Sequence, residues 1–352
     1  MAEARWSFGV RISALALFAF AGGAGLAAYE EFSRPKPPPA VVPKAKPKPK
    51  PAATTIADPI APNRAPHLDP TREAASGDWV RAHPAFQYSR STAQRGGVNP
   101  CALPDADTSA FEPWTNLAKG HFTLPPGAVE PNGDFDLVMH FHGDDLARRE
   151  LALSGQKFVL YGLTLDASES YAGLFAGSKL MAQLVTAIEA VVGAKRGTAA
   201  HARHIALTAW SAGYMAVLSI LVQPEAKDVD AVALIDGLHG QRGALEHQLA
   251  PFVDFARRAE TGERFMFLSH SSIDPPAFAS TTETVHYVLA ALGDKPTAVR
   301  RDDRGGLELV DYFSRGSFNA RGYAGNDKED HCAQVMLLRD VFAAIGRRWQ
   351  AH

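Results

Sequence analysis

At 352 residues with 46% hydrophobic content, the chain is long enough to bury a large core, and one domain of about 250–280 residues plus an appendage accommodates it. The formal net charge of −2 gives no reason to expect nucleic acid as a partner. Two cysteines, Cys101 and Cys332, are too few for a disulfide scaffold or a zinc cluster.

Arg5 and Arg11 flank an almost uncharged run from Ile12 to Ala28, rich in Ala, Leu, Phe and Gly. That length lies at the lower edge for a membrane span and slightly above a signal-peptide core. Gly25-Leu26-Ala27 offers a small-x-small cleavage site. Residues 1–30 therefore read as a signal peptide or, with residues 8–28 retained in the bilayer, a membrane anchor. The basic flank sends the rest of the chain across the membrane in either case, so export to the periplasm or cell envelope is the expectation. Residues 31–75 form a Pro/Lys-rich linker. Pro35-Lys36-Pro37-Pro38-Pro39 and the Lys44–Pro51 alternation carry no apolar face, and such composition stays extended as a polyproline II spacer. In an exported chain, Cys101 and Cys332 are available for one disulfide.

Residues 76–352 read as the globular domain. Strands are expected at Phe135–Phe141, Lys157–Leu163, His204–Trp210, Val229–Ile235, Arg264–Ser269 and Ser317–Tyr323. Helices are expected at 179–192, closed by Gly193, and at 214–222, 245–259, 281–292 and 333–345. The aromatic segments Trp79–Tyr88 and Phe111-Glu112-Pro113-Trp114 precede this alternation and are expected to cover the sheet. The small-residue stretch from Asp166 to Gly177 lines the pocket entrance or loops into the next helix. Short apolar strands separated by helices imply an α/β fold, a mostly parallel sheet with helices on both faces.

Ala209-Trp210-Ser211-Ala212-Gly213 lies between the apolar strand 204–210 and the apolar helix 214–222. A serine at a sharp strand-to-helix turn has its hydroxyl pushed out of the sheet, and the following helix aims its positive end at the same point. The string follows the G-x-S-x-G nucleophile elbow with Ala209 in place of the first glycine, a difference of one methyl group. His140-Phe141-His142-Gly143-Asp144-Asp145 follows the first strand, where a glycine turn presents backbone amides to an oxyanion. The amides of Ala212 and of Gly143 or Asp144 are the candidate donors. Gly325–Asp330 leads into His331 after the last strand, where a general base is delivered. For the acid that orients it, Asp274 follows the penultimate strand and is favoured narrowly over Asp236, which ends the strand before. Asp302 and Asp303 read as a surface turn and Asp330 as a helix cap.

From about Asp134 to the C-terminus, these features resemble the α/β-hydrolase superfamily of esterase- and lipase-like serine hydrolases. The resemblance implies acyl transfer on a carboxylic ester or amide: Ser211 attacks a carbonyl, His331 takes its proton, and an acyl-enzyme forms and is hydrolysed. It calls for no cofactor and for a small-molecule or envelope-polymer acyl substrate. Two alternatives come from other classes. His140, His142 and Asp144 form part of an H-x-H-x-D-H metal cluster with Asp145 in the final place, His201 and His204 being further candidate ligands. The domain could also serve as a non-catalytic, envelope-tethered binding module.

Overall fold

A computed structural model describes residues 99–103, 106–177 and 179–351. The targeting segment, the linker and Trp79–Tyr88 lie outside the described residues. Ten strands form one sheet: β1 (Thr115–Asn116), β2 (His121–Thr123), β3 (Asp134–Phe141), β4 (Val159–Leu163), β5 (His201–Trp210), β6 (Ala231–Ile235), β7 (Phe265–Ser271), β8 (Thr297–Asp302), β9 (Glu308–Arg315) and β10 (Phe318–Tyr323). Their order is β1-β2-β4-β3-β5-β6-β7-β10-β9-β8. The inner run from β4 to β10 is parallel throughout, and the two edges are antiparallel. This is the mostly parallel sheet that the sequence implies.

The inner strands read as unbroken apolar runs because both faces are covered. Leu137, Met139 and Phe141 of β3 enter one core while Val138 enters the other. Val232 and Leu234 of β6 part in the same way from Ala231, Ala233 and Ile235. The first core is closed by helices α2 (Ser168–Phe175), α3 (Leu180–Arg196), α4 (Tyr214–Leu221), α5 (Leu245–Glu260) and α6 (Thr281–Ala291). The second is closed by α1 (Asp144–Ser154) and α8 (Leu338–Gln350). A short helix, α7 (Lys328–Ala333), precedes α8. Phe111 and Trp114 pack against the second core, in the covering role expected for them.

Several boundaries differ from the sequence reading. The third helix runs through Gly193 and ends at Arg196, with Gly197 as its left-handed cap. A side chain at Gly193 would reach to 2.9 Å from the Thr198 carbonyl, so this glycine serves a close approach inside the helix rather than a stop. The 166–177 stretch is largely helix α2, anchored by the buried Tyr171. The hairpin β8–β9 was not expected. Its outer strand carries Arg300, Arg301 and Asp302 on the open edge, and its inner strand buries Glu308 and Asp311.

Candidate active site

Strand β5 ends at Trp210 in extended conformation, and Ser211 then turns to φ 51°. A left-handed backbone at a non-glycine residue costs roughly 1–3 kcal/mol and persists only where its surroundings enforce it. Here they do. A methyl group on Gly213 would lie 2.1 Å from the Phe141 carbonyl oxygen at the end of β3. One on Gly237, just past β6, would lie 2.6 Å from the Ser211 carbonyl oxygen. The turn is thus clasped between two neighbouring strand ends, with the partly exposed Ser211 at its apex and α4 starting behind it. Ala209 is fully buried between Phe141 of β3 and Leu234 of β6, so its methyl fits where the motif usually has glycine.

His331 is the fourth residue of α7. Asp327 caps that helix, accepting from the Asp330 amide, and Asp330 answers from the N3 position of the capping box rather than from the cap itself. Cys332 is bonded to Cys101, with Cα atoms 5.1 Å apart across 231 positions of sequence. The Trp210 indole stacks on the imidazole at 5.0 Å between centroids, and its Nε1 donates to the His331 carbonyl at 3.3 Å. The base is therefore held from three sides.

Asp236, not Asp274, faces it. His331 Nδ1 lies 2.8 Å from Asp236 Oδ2, while the Thr281 hydroxyl donates to Oδ1 at 2.6 Å. Thr281 must donate here, because an ionised carboxylate can only accept, and its oxygen in turn accepts from the Ser271 amide. Burial by itself would raise the Asp236 carboxyl. The His331 contact and the hydroxyls of Thr281 and Ser271 outweigh it, holding the group below the ordinary carboxylate range. An ionised Asp236 accepts Nδ1–H, which makes Nε2 the unprotonated nitrogen of a neutral imidazole. Asp274 is exposed and paired with Arg242 at 3.0 Å, so it ties down a surface loop.

The oxyanion segment departs from expectation. The amides of Gly143 and Asp144 both donate to Thr164 Oγ1, at 2.9 and 3.3 Å, so neither is aimed at the serine. The His142 amide is spent on the Leu163 carbonyl. Ala212 lies in the first turn after the elbow, where helix-opening amides have no intrahelical acceptor. His142 and Gly143 are both left-handed, at φ 74° and 84°, and the His142 ring faces Trp210 at 5.4 Å. Trp210 thus lies against both the base and the turn after β3.

The proposed metal cluster near β3 does not form. His140 is fully buried, with Nδ1 on the Thr208 hydroxyl and Nε2 on the His142 carbonyl, and burial pulls it down to about 4. Asp144 is taken by His121 and Thr164. His142 directs Nδ1 to the Leu165 carbonyl. His204 bonds Asp136 at 2.8 Å, and exposed His201 starts β5, at the end opposite Ser211. His140 and His142 thus brace backbone carbonyls, and His204 is held by a carboxylate away from them. One neighbour escaped the sequence reading. His239, beside Tyr214 and Phe278, feels both Asp236 and His331, and burial lowers it to about 4.

No known protein family matches this chain, and no curated protein sequence does. Solved structures similar to it include an uncharacterised protein from Capnocytophaga ochracea DSM 7271, 9% identical, with a TM-score of 0.40 over 65% of this chain and 64% of that one. The chain therefore spans under two thirds of that protein. The poly(3-hydroxybutyrate) depolymerase LpqC from Bordetella parapertussis is 14% identical, with a TM-score of 0.38 over 72% and 96%. A thioesterase domain from the curacin biosynthetic pathway is 12% identical, with a TM-score of 0.32 over 68% and 98%.

Proposed function

We propose that this chain is a serine hydrolase of the α/β-hydrolase superfamily that cleaves a carboxylic ester through an acyl-enzyme. The observation that carries the reading is the 2.8 Å contact between His331 Nδ1 and buried Asp236, beside a serine held left-handed at the end of β5. In the forward step Ser211 Oγ attacks the carbonyl carbon and its proton passes to His331 Nε2. The Ala212 amide and the positive end of α4 stabilise the oxyanion. The tetrahedral intermediate collapses, the leaving alcohol takes the proton from His331, and an ester to Ser211 remains. Water then repeats the sequence with the same base and releases the acid.

Export is part of the proposal. The Cys101–Cys332 bond supports an oxidising compartment, as does the uncharged run behind Arg5 and Arg11. Residues 76–352 are then the catalytic domain, carried on the linker 31–75. The test is labelling of the intact protein by a fluorophosphonate. Stoichiometric labelling in the wild type and none in Ser211→Ala, matched by loss of p-nitrophenyl ester hydrolysis, is the expected result. Equal labelling of both proteins removes Ser211 from the mechanism.

A further inference from the structure

A second group of chemistry-bearing side chains lies outside the serine site. His270 of β7, Gly322 of β10 and Asp311 of β9 form one row across three adjacent strands, Gly322 pairing with His270 on one side and Asp311 on the other. Two side chains separated by an intervening strand do not normally meet. Here the missing side chain lets them. A methyl group on Gly322 would fall 2.3 Å from His270 Cε1 and 2.6 Å from either Asp311 carboxylate oxygen. His286 enters the group from α6, its ring perpendicular to that of His270 at 5.1 Å.

Hydrogen-bond bookkeeping exposes a conflict in this group. The Thr282 hydroxyl donates to the Ser271 carbonyl at 2.7 Å, so its oxygen can only accept from His270 Nδ1 at 2.9 Å. With the proton on Nδ1, neutral His270 presents a lone pair at Nε2. That lone pair points at Asp311 Oδ1, another acceptor, at 3.2 Å. Asp311 Oδ2 is buried, makes no hydrogen bond, and lies 3.6 Å from His286 Nε2. Acceptors converge where a positive charge belongs.

We propose that His270, His286 and Asp311 bind a divalent transition metal ion, zinc by preference. The three ligand atoms lie within 4.8 Å of one another. Tetrahedral zinc with bonds of about 2.0–2.1 Å sets its ligands about 3.3–3.4 Å apart, and the Asp311 carboxylate faces the imidazoles at a similar spacing, Oδ1 3.2 Å from His270 Nε2 and Oδ2 3.6 Å from His286 Nε2. Two imidazoles and one carboxylate suit this class of ion rather than calcium or magnesium, which prefer oxygen. The Nδ1–H of His270 on Thr282 is the outer contact that fixes a ligating imidazole in its tautomer. His286 is the partly exposed member and gives the ion its way in. Bound there, the ion joins β7, β9 and α6. Helix α6 also carries Thr281, so the metal steadies the hydroxyl that holds Asp236 and takes no part in the acyl chemistry.

The experiment uses the intact protein, stripped with a chelator and titrated with zinc and, separately, with cobalt. One zinc ion per chain, a rise in Tm on its addition, and a cobalt visible band are expected. X-ray absorption at the zinc edge should show two imidazoles with oxygen and no sulfur. His286→Gln, at the rim, and Asp311→Asn should each lose the stoichiometric ion. Ser211 labelling checks that His286→Gln remains folded, and it reports the serine site independently of metal content. Substoichiometric zinc in the wild type overturns the proposal and leaves a buried imidazolium–carboxylate pair. So does a sulfur ligand, or unchanged binding in folded His286→Gln.

Discussion

Asp236→Asn is the sharpest perturbation of the candidate site, because it keeps the size of the side chain and replaces one acceptor facing the imidazole by a donor. Thr281 accepts from the Ser271 amide and donates to Oδ1 of the wild-type carboxylate. An asparagine that keeps its oxygen toward this hydroxyl donor presents its NH2 to His331. An NH2 donor 2.8 Å from Nδ1 requires the unprotonated form of that nitrogen, so the imidazole proton moves to Nε2. The base then faces Ser211 with a proton where it needs a lone pair. Wrong-tautomer substitutions of this kind cost about 10⁴-fold in kcat, or about 5 kcal/mol of transition-state stabilisation. The assay is kcat/KM on a short p-nitrophenyl ester, with fluorophosphonate labelling rate as a second readout. Asp274→Asn is the control. It weakens an exposed pair with Arg242, a kind of contact worth about 0–1 kcal/mol, and should leave both readouts within about twofold. Activity of Asp236→Asn within tenfold of wild type, together with a collapse in Asp274→Asn, would refute the assignment.

Three further outcomes are expected. Gly213→Ala forces a methyl against the Phe141 carbonyl and should cost about 1–3 kcal/mol of stability as well as Ser211 labelling; a variant with wild-type Tm and full labelling would count against the clasped elbow. Buried His140 is lowered to about 4 from 6.5, so below 6.5 the unfolded chain takes up a proton that the native state refuses, and stability falls as pH drops toward 4. Between pH 7 and 5 this amounts to about 2 kcal/mol, and urea midpoints should show a shallower fall in His140→Gln than in the wild type. Replacing both Cys101 and Cys332 by serine opens a loop spanning 231 positions, for which chain entropy predicts a loss of about 5 kcal/mol; an unchanged denaturation midpoint would contradict it.

What could be read from the sequence tracks how each residue is buried. The inner strands were legible because Val232, Leu234 and their neighbours are apolar on both faces, so no periodicity was needed to find them. Strand β9 was not, since Glu308 and Asp311 are polar residues turned inward and β8 offers arginines on an open edge. Ser211 and His331 could be singled out as candidates because each follows a strand at the end where open α/β sheets build their sites. The acid was not separable by position alone, as both Asp236 and Asp274 follow strands in the right order. What distinguishes them is the partner each meets, Thr281 in one case and Arg242 in the other, and both partners are distant in sequence. The one local signal was Gly237 directly after Asp236, a glycine required by contact with the Ser211 backbone. The Gly143 and Asp144 amides were misassigned because Thr164, some twenty positions on, claims them.

Trp210 gives this site a reporter that needs no label. Its indole sits one residue before the nucleophile, stacked on the His331 ring and facing that of His142. Protonated imidazole quenches indole emission, so protonation of the base and departure of α7 from its seat both alter the light that this one side chain emits. Trp114 lies against His121 and Trp349 against His204, each in contact with a histidine of its own. Phenylalanine at those two positions and at Trp6 and Trp79 would leave Trp210 as the one tryptophan of the chain. Formation and decay of an acyl-enzyme would then be visible in real time on unmodified substrates, including polymers that carry no chromophore.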